Sequence, residues 1–397
     1  MTGPGDETAD ETPDESADHT RRDTGGEPGG GIERGGSDTG TDLVDLEALA
    51  AWMDERGLPG GPVTGARALA GGTQNLLMRF SRGGRDHVLR RGPRHLRRAS
   101  NEVMRREARV LQALAGSDVP HPPFVAGPGE PDSGVAGDAV FYLMAPVEGF
   151  NPTTGLPALH AGDAAVRHQM GLEVADAVSR LGAVDHVAAG LADFGKPEGF
   201  LERQVPRWLG ELEGYGELDG YPGPEIPGVE QVAAWLDDNR PASWRPGIMH
   251  GDYHLSNVMI APDGPQVAAI VDWEMCTIGD PLLDLGWLLA TWPIGPDDPD
   301  RPGAADDRMA SLVTGALGGA GALPTPAEIV ARYARRSPRD TSAIAWYTAM
   351  ACFKLGIVLE GTHARACAGR APKATGDMLH GITLGLFARA RSVIAKG

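Results

Sequence analysis

The change of hydrophobic period along this chain constrains its fold before any motif is read. From residue 63 to about 147 the apolar residues come in short runs separated by glycine turns, as in 68–80, 87–90 and 140–147, which is a pattern of strands. One helical segment interrupts them over 100–115, with Val103, Val110, Leu111 and Leu114 on its inner side. Afterwards the period is helical: Val166, Met170, Val174, Val178 and Leu181 recur at helical spacing, as do residues in 342–360 and 377–395. Two β-rich runs return at 248–260 and 267–273, joined by the turn Pro262-Asp263-Gly264. Strands with one helix first, then mostly helix, predict an α+β protein with two lobes. Ahead of the strands, Asp42 is the expected N-cap of a helix carrying Leu43, Leu46, Leu49, Ala50 and Met53, closed by Gly57 and Pro59. Pro146 should take the end of its strand out of the sheet.

Composition removes several function classes. The 397 residues are 41% hydrophobic, too apolar for a wholly disordered chain. No stretch approaches 18 uninterrupted apolar residues, so no membrane span is expected. The opening Met1-Thr2-Gly3-Pro4-Gly5-Asp6-Glu7 lacks the basic and apolar regions of a signal peptide. Three cysteines without a C-x-x-C spacing exclude a disulfide scaffold and a zinc ribbon. A cytoplasmic protein is the expectation.

Charge is unevenly placed. Residues 1–42 hold twelve acids against three arginines, half of the net charge of −18, with only four apolar residues. Such a segment cannot bury enough surface to offset its ordering entropy, so a disordered acidic tail is expected. The opposite bias occurs at 79–109, where eleven arginines face Asp86, Glu102 and Glu107. A nucleic-acid surface is disfavoured by the absence of interleaved aromatics and by the acidity of the whole chain. A site for a compact phosphorylated ligand and an exposed, internally neutralised helix and loop both fit the patch.

The segment carrying chemistry is His250-Gly251-Asp252-Tyr253-His254-Leu255-Ser256-Asn257, followed by Val271-Asp272-Trp273-Glu274. Asp252 and Asn257 bracket a loop, and Asp272 ends an apolar strand past a turn that brings it back beside Asn257. Two carboxylates and an amide oxygen are hard ligands suited to Mg²⁺ rather than zinc. A carboxylate left off the metal can orient and deprotonate a hydroxyl. The two histidines do not read as a zinc-protease pair, because Gly251 stands where that motif needs glutamate.

With these residues in hand, His250–Asn257 and Asp272 resemble the catalytic loop and metal-binding aspartate of the aminoglycoside phosphotransferase/choline kinase family, which has a protein-kinase-like fold. The run Ile278-Gly279-Asp280-Pro281-Leu282-Leu283-Asp284-Leu285-Gly286 continues that likeness. The run from Phe194-Gly195-Lys196-Pro197 to Gln204, with Trp208, and Phe353-Lys354-Leu355 through Glu360-Gly361 are similar to the kinase-like domains at the front of certain acyl-CoA dehydrogenases. The resemblance implies a bilobal fold after the tail at 1–42: a small antiparallel-sheet N-lobe over 43–147 that binds nucleotide, and a mostly helical C-lobe over 148–397. It implies Asp252 as catalytic base, His254 in a hydrogen-bonding or partly cationic role, and His250 as an anchor of the loop. Asn257 and Asp272 would hold Mg²⁺ against the phosphates of ATP. Arg90 falls where kinases carry the strand lysine for the phosphates, with Glu107 as its helix partner. Strand alternation favours Arg90 over Arg91 for that place. Gly71, Gly72, Thr73, Gln74 and Asn75 would form the loop over the nucleotide, and 144–147, including Met144 and Val147, the hinge against adenine. Asp280 and Asp284 are expected to cap and brace the loop, and Trp208, Trp346 and Tyr347 to pack in the core.

The activity implied is transfer of the ATP γ-phosphoryl group to a hydroxyl of a small molecule. The resemblance and the arginine cluster favour an anionic, acyl-CoA-like acceptor, whereas the acidic run Asp297, Asp298, Asp300, Asp306 and Asp307 favours a polyamine such as an aminoglycoside. A catalytically silent nucleotide-binding protein is the reading from another class. Retention of Asp252, Asn257 and Asp272 together argues against it.

Overall fold

Alternation along consecutive strands builds the first lobe. The structure, a computed structural model, describes residues 41–69, 75–293, 317 and 321–396. The acidic tail up to residue 40, the loop residues 71–74 and the acidic run at 297–307 lie outside the described residues. A helix, α1 (Leu46–Glu55), precedes β1 (Thr64–Ala68), β2 (Leu76–Arg82), β3 (Arg85–Arg91), α2 (Ser100–Leu114), β4 (Phe124–Gly129) and β5 (Phe141–Met144). The five strands form one antiparallel sheet in the order β1-β2-β3-β5-β4.

Each strand sends alternate residues to opposite faces. Met78, Phe80, Leu89, Phe141 and Leu143 pack against Leu49, Trp52 and Met53 of α1, with the Trp52 and Phe141 ring centroids 4.9 Å apart. Tyr142 and Val140 face the other way and join Met104, Ala108 and Leu111 of α2 in the main core. In β3 this places Leu89 and Arg91 on the α1 side and Arg90 on the α2 side, where its strand neighbours are Leu77 and Tyr142.

The N-cap of α1 differs from expectation. Asp45, not Asp42, accepts from the N–H groups of Glu47 and Ala48, at 2.9 Å each. Asp42 lies in a preceding 3₁₀ turn and pairs through both oxygens with Arg94, at 3.0 Å. Two acids three residues apart can each cap locally, and here the one adjoining the first helical residue does so. The strand expected over 140–147 is shorter, Phe141–Met144, and ends before Pro146.

The second lobe consists of α3 (Ala158–Gly162), α4 (Ala164–Ala183), α5 (Gln204–Gly214), α6 (Val229–Asp238), α7 (Leu282–Thr291), α8 (Pro326–Arg336), α9 (Ile344–Cys367) and α10 (Lys373–Lys396). Four short strands lie between α6 and α7: β6 (Gly247–Met249), β7 (Val258–Ile260), β8 (Val267–Ile270) and β9 (Thr277–Gly279). The run at 248–260 is therefore two strands with different partners. β7 pairs with β8 across the expected turn, while β6 pairs with β9. The break between them is the loop that holds Asp252 and Asn257. α9 is the one helix among the described residues long and apolar enough to cross a membrane, and 67% of its most apolar window is buried inside the protein.

Candidate active site

The loop after β6 is held from beneath. The backbone N–H groups of His250 and Gly251 donate to the two carboxylate oxygens of Asp284, at 2.6 and 2.8 Å, in the first turn of α7. The His250 ring is fully buried, donates from Nε2 to the Val271 carbonyl at 2.9 Å, and accepts at Nδ1 from the Asp252 N–H at 3.4 Å. Gly251 has φ +86°, and a Cβ there would meet the Met275 carbonyl, so the position needs glycine. Tyr253 donates its hydroxyl to the Val174 carbonyl at 2.7 Å and ties the loop to α4.

On this base Asp252 presents a carboxylate that is engaged at both oxygens and still one-third exposed. His254 Nε2 lies 3.2 Å from Oδ1, and Asn257 Nδ2 donates to Oδ2 at 3.1 Å and to the Asp252 carbonyl at 2.9 Å. The Ser256 N–H donates to His254 Nδ1 at 3.2 Å, which leaves Nε2 as the proton-bearing nitrogen facing Asp252. Burial opposes the Asp252 charge, but His254, His250 and Lys354 outweigh it and hold the carboxyl well below the usual carboxylate range. Burial likewise disfavours a charged His254 ring, and Asp252 outweighs that, so the imidazole pKa is raised.

The β7–β8 hairpin returns Asp272 to the same place. The Val271 N–H donates to the Asn257 carbonyl at 2.9 Å, and Asp272 follows at φ 67°, ψ 66°. A non-glycine residue in the left-handed region costs about 1–2 kcal/mol, and such strain tends to mark functional positions. Asp272 then reaches across to the small lobe, where Oδ1 accepts from Arg90 Nη2 at 2.9 Å. Arg90 also grips Glu107 of α2 through two bonds of 2.7 and 2.9 Å, and the Tyr142 hydroxyl donates to the same glutamate at 2.8 Å. Burial opposes the Arg90 charge, but Glu107, Tyr142 and Asp272 outweigh it and keep the guanidinium firmly protonated. One oxygen each of Glu107, Asp272 and Glu274 lies within 4.8 Å of the others.

The remaining expected site residues are placed as follows. Met144 ends β5 and Val147 follows it, both partly exposed at the edge of the small lobe. Asn75 is half-buried just before β2, while Gly71, Gly72, Thr73 and Gln74 lie outside the described residues. Arg91 is buried on the opposite face of β3 from Arg90. Asp280 accepts from the Leu282 N–H at 3.1 Å and from the Tyr347 hydroxyl at 2.5 Å, and Trp208, Trp346 and Tyr347 are buried.

The arginine cluster is largely neutralised within the protein. Arg79 pairs with Asp86, Arg82 with Asp54, Arg94 with Asp42, Arg105 with Glu130 and Arg109 with Asp193. Arg106 donates to the Phe194 and Cys276 carbonyls.

Sequence reasoning gave no role to Tyr142, Glu274 or Lys354. Tyr142 was legible as the polar residue of an apolar strand, placed by alternation on the Arg90 face. Lys354 comes from α9, donates to the Gly251 carbonyl at 3.3 Å and lies 4.6 Å above the Trp287 ring centroid. Nothing local in the sequence connects it to a loop some hundred residues earlier.

The donor set at Asn257 and Asp272 fits a hard cation. With Asn257 Nδ2 committed to Asp252, the amide oxygen is the atom that remains for a ligand, next to a carboxylate.

A model of the phosphotransferase enzyme family matches residues 65–312. Acyl-CoA dehydrogenase family member 10 of Mus musculus is 28% identical over 343 residues, which is 84% of this chain and 30% of that protein. The chain spans about a third of the length of the curated relatives it matches. Among solved structures, a putative aminoglycoside phosphotransferase from Ralstonia eutropha JMP134 is 27% identical, with TM-score 0.68 over 88% of this chain and 98% of that one. An aminoglycoside phosphotransferase in ternary complex with ADP and hygromycin B shares the fold at 15% identity, with TM-score 0.51 over 87% of this chain and 98% of that one. With a model match over more than half of its length, on an α+β bilobal fold of the kinase type, the chain belongs to the phosphotransferase enzyme family.

Proposed function

We propose that the protein transfers the γ-phosphoryl group of ATP to a hydroxyl of a small anionic acceptor of the hydroxyacyl-CoA type. The observation that carries this reading is the convergence of Asp252, Asn257 and Asp272 on one side of a cleft whose other side is the Arg90–Glu107 pair.

Asp252 orients the acceptor hydroxyl. As the acceptor oxygen bonds to the γ-phosphorus and the bond to the ADP oxygen breaks, the hydroxyl proton passes to the Asp252 carboxylate. Its depressed pKa makes it a weak base in the resting enzyme, which suits a loose transition state in which the proton leaves late. His254 and Asn257 hold the two carboxylate oxygens and so fix its direction. Arg90, kept in place by Glu107 and Tyr142, supplies a planar cation for the phosphates. Mg²⁺ held by Asn257 and Asp272 would neutralise phosphate charge as it builds up. Lys354, at the base of the loop, adds positive potential close to Asp252 and supports an anionic acceptor.

The acyl-CoA dehydrogenase relatives favour the acyl-CoA class, and the 27% identical structure, described as a putative aminoglycoside phosphotransferase, favours the amine class. The test is Mg-ATP-dependent ADP release against hydroxyacyl-CoAs, aminoglycosides and amino alcohols, with wild type and Asp252→Asn side by side. Turnover of a hydroxyacyl-CoA that the variant loses is the expected result. Turnover of aminoglycosides alone would overturn the acceptor class. Failure to bind Mg-ATP would overturn the phosphotransferase reading itself.

A further inference from the structure

α9 and α10 pair along their length at the end of the chain, and near their connection they enclose a polar cluster that the phosphotransferase chemistry does not use. Glu360 and His363 lie one turn apart on α9, and His380 faces them from α10. One ligand atom from each lies within 4.8 Å of the others. The Glu360 side chain is fully buried, which for a carboxylate requires strong compensation. Tyr221 donates its hydroxyl to Oε1 at 2.8 Å, and His380 Nδ1 lies 2.8 Å from Oε2. The His363 and His380 rings stack with centroids 4.5 Å apart. Gly376 is buried against Ala366 and His363 and lets the two helices approach closely here.

A plain hydrogen-bonded knot accounts for Glu360 and His380 but leaves His363 unexplained. Its Nε2 is turned towards the Cys367 thiol, 3.6 Å away. Its Nδ1 is buried with no hydrogen-bond partner, the carboxylate of Asp377 being 3.9 Å from it. A buried imidazole nitrogen without a hydrogen bond, beside a second imidazole and a buried carboxylate, is a set of atoms waiting for an electrophile. Two nitrogens and one carboxylate oxygen suit a borderline divalent cation such as Zn²⁺ and are too soft a set for Mg²⁺ or Ca²⁺. The Tyr221 hydroxyl on Glu360 and the Cys367 thiol beside His363 are placed as the outer partners that orient such ligands.

We propose that Glu360, His363 and His380 form a second, non-catalytic site for a divalent transition cation of the zinc class, which clasps α9 to α10. Lys354, the residue of α9 that reaches the catalytic loop, lies six residues before Glu360, roughly 9 Å along the helix axis. A cation at the cluster therefore fixes the register of the helix that supports the loop without entering the nucleotide cleft.

The test uses the whole chain, stripped with a chelator and returned to excess Mg²⁺ so that hard-oxygen sites are satisfied. Zn²⁺ retained after gel filtration, and the Tm with and without it, are measured for wild type, His380→Gln and His363→Gln. One zinc per chain with a raised Tm is expected for wild type. Each variant should bind it at least about 100-fold more weakly, a larger loss than outer-sphere changes cause. Co²⁺ provides a reading that needs no variant: four- or five-coordinate nitrogen and oxygen ligation gives visible d–d bands distinct from those of the hexaaqua ion. No retained zinc and an aqua-like Co²⁺ spectrum in wild type would overturn the proposal. So would zinc retention by both variants equal to that of wild type, which would place the ion elsewhere.

Discussion

The two walls of the cleft handle charge in opposite ways. On the large-lobe side, residues 250–257 hold one partly exposed carboxylate with donors drawn from their own segment, His254 Nε2 and Asn257 Nδ2. On the small-lobe side, Arg90 is buried and joins Glu107, 17 residues away, with Asp272, 182 residues away in the other lobe. The first arrangement is assembled by a loop, the second by a fold. Catalytic chemistry should therefore be sensitive to the loop with little change in stability, whereas the arginine pair should link nucleotide affinity to the integrity of the small lobe.

Asp252→Asn tests that contrast most severely. It preserves the shape and removes the charge, and kcat should fall about 10²- to 10⁴-fold with little change in the melting curve. A large loss of Tm with retained kcat would reverse the assignment of the two walls. Arg90→Met comes next, because it leaves Glu107 buried beside an apolar side chain. Breaking a buried pair from one side costs about 3–5 kcal/mol. Thermal or urea unfolding should show that loss, and the Kd of ATP should rise about 10- to 100-fold.

Gly251→Ala sharpens the comparison within the loop. A side chain at φ +86° and against the Met275 carbonyl should cost about 1–3 kcal/mol and lower kcat by turning Asp252, while the Kd of ATP stays near wild type. Equilibrium unfolding and nucleotide titration of one preparation would check both.

The smallest effect concerns pH. The Asp252 pKa is depressed, so its contribution is present above the ordinary carboxylate value of 3.8 and is lost as pH falls towards the folded value. The His254 pKa is raised, so its contribution is present below 6.5 and is lost as pH rises through the folded value. The pair thus stabilises the protein most between about pH 4 and 6.5. The difference in unfolding free energy between wild type and His254→Gln, read from urea titrations at each pH, should be greatest there, on the order of 1 kcal/mol for a partly exposed pair, and should shrink towards pH 8. A difference that grows with rising pH would contradict the pairing.

Much of this was legible because it is local. The spacing of Asp252, Asn257 and Asp272 carries its own geometry, since a short loop and one hairpin bring those residues together. Strand alternation alone separated Arg90 from Arg91. The arginine run was less legible, because the acids that neutralise it, Asp42, Asp54, Glu130 and Asp193, lie up to 84 residues away. For the same reason the pairing of Asp42 with Arg94 was not legible, nor the division of the run at 248–260 between two strand partners.

By itself, then, the sequence determined the order of a strand-rich lobe and a helical one, the placing of Asp252 and Asn257 in one loop, and the face on which Arg90 stands. Each of these depends on residues within a turn or a strand of one another, where periodicity dictates geometry. Only the tertiary structure decided that Asp272 meets Arg90 across the cleft, that Tyr142 completes the Glu107 pair, that Lys354 supports the loop and that His380 closes on Glu360 and His363. Those contacts join segments whose separation along the chain carries no information about distance, and the packing of helices and strands within and between the lobes sets them.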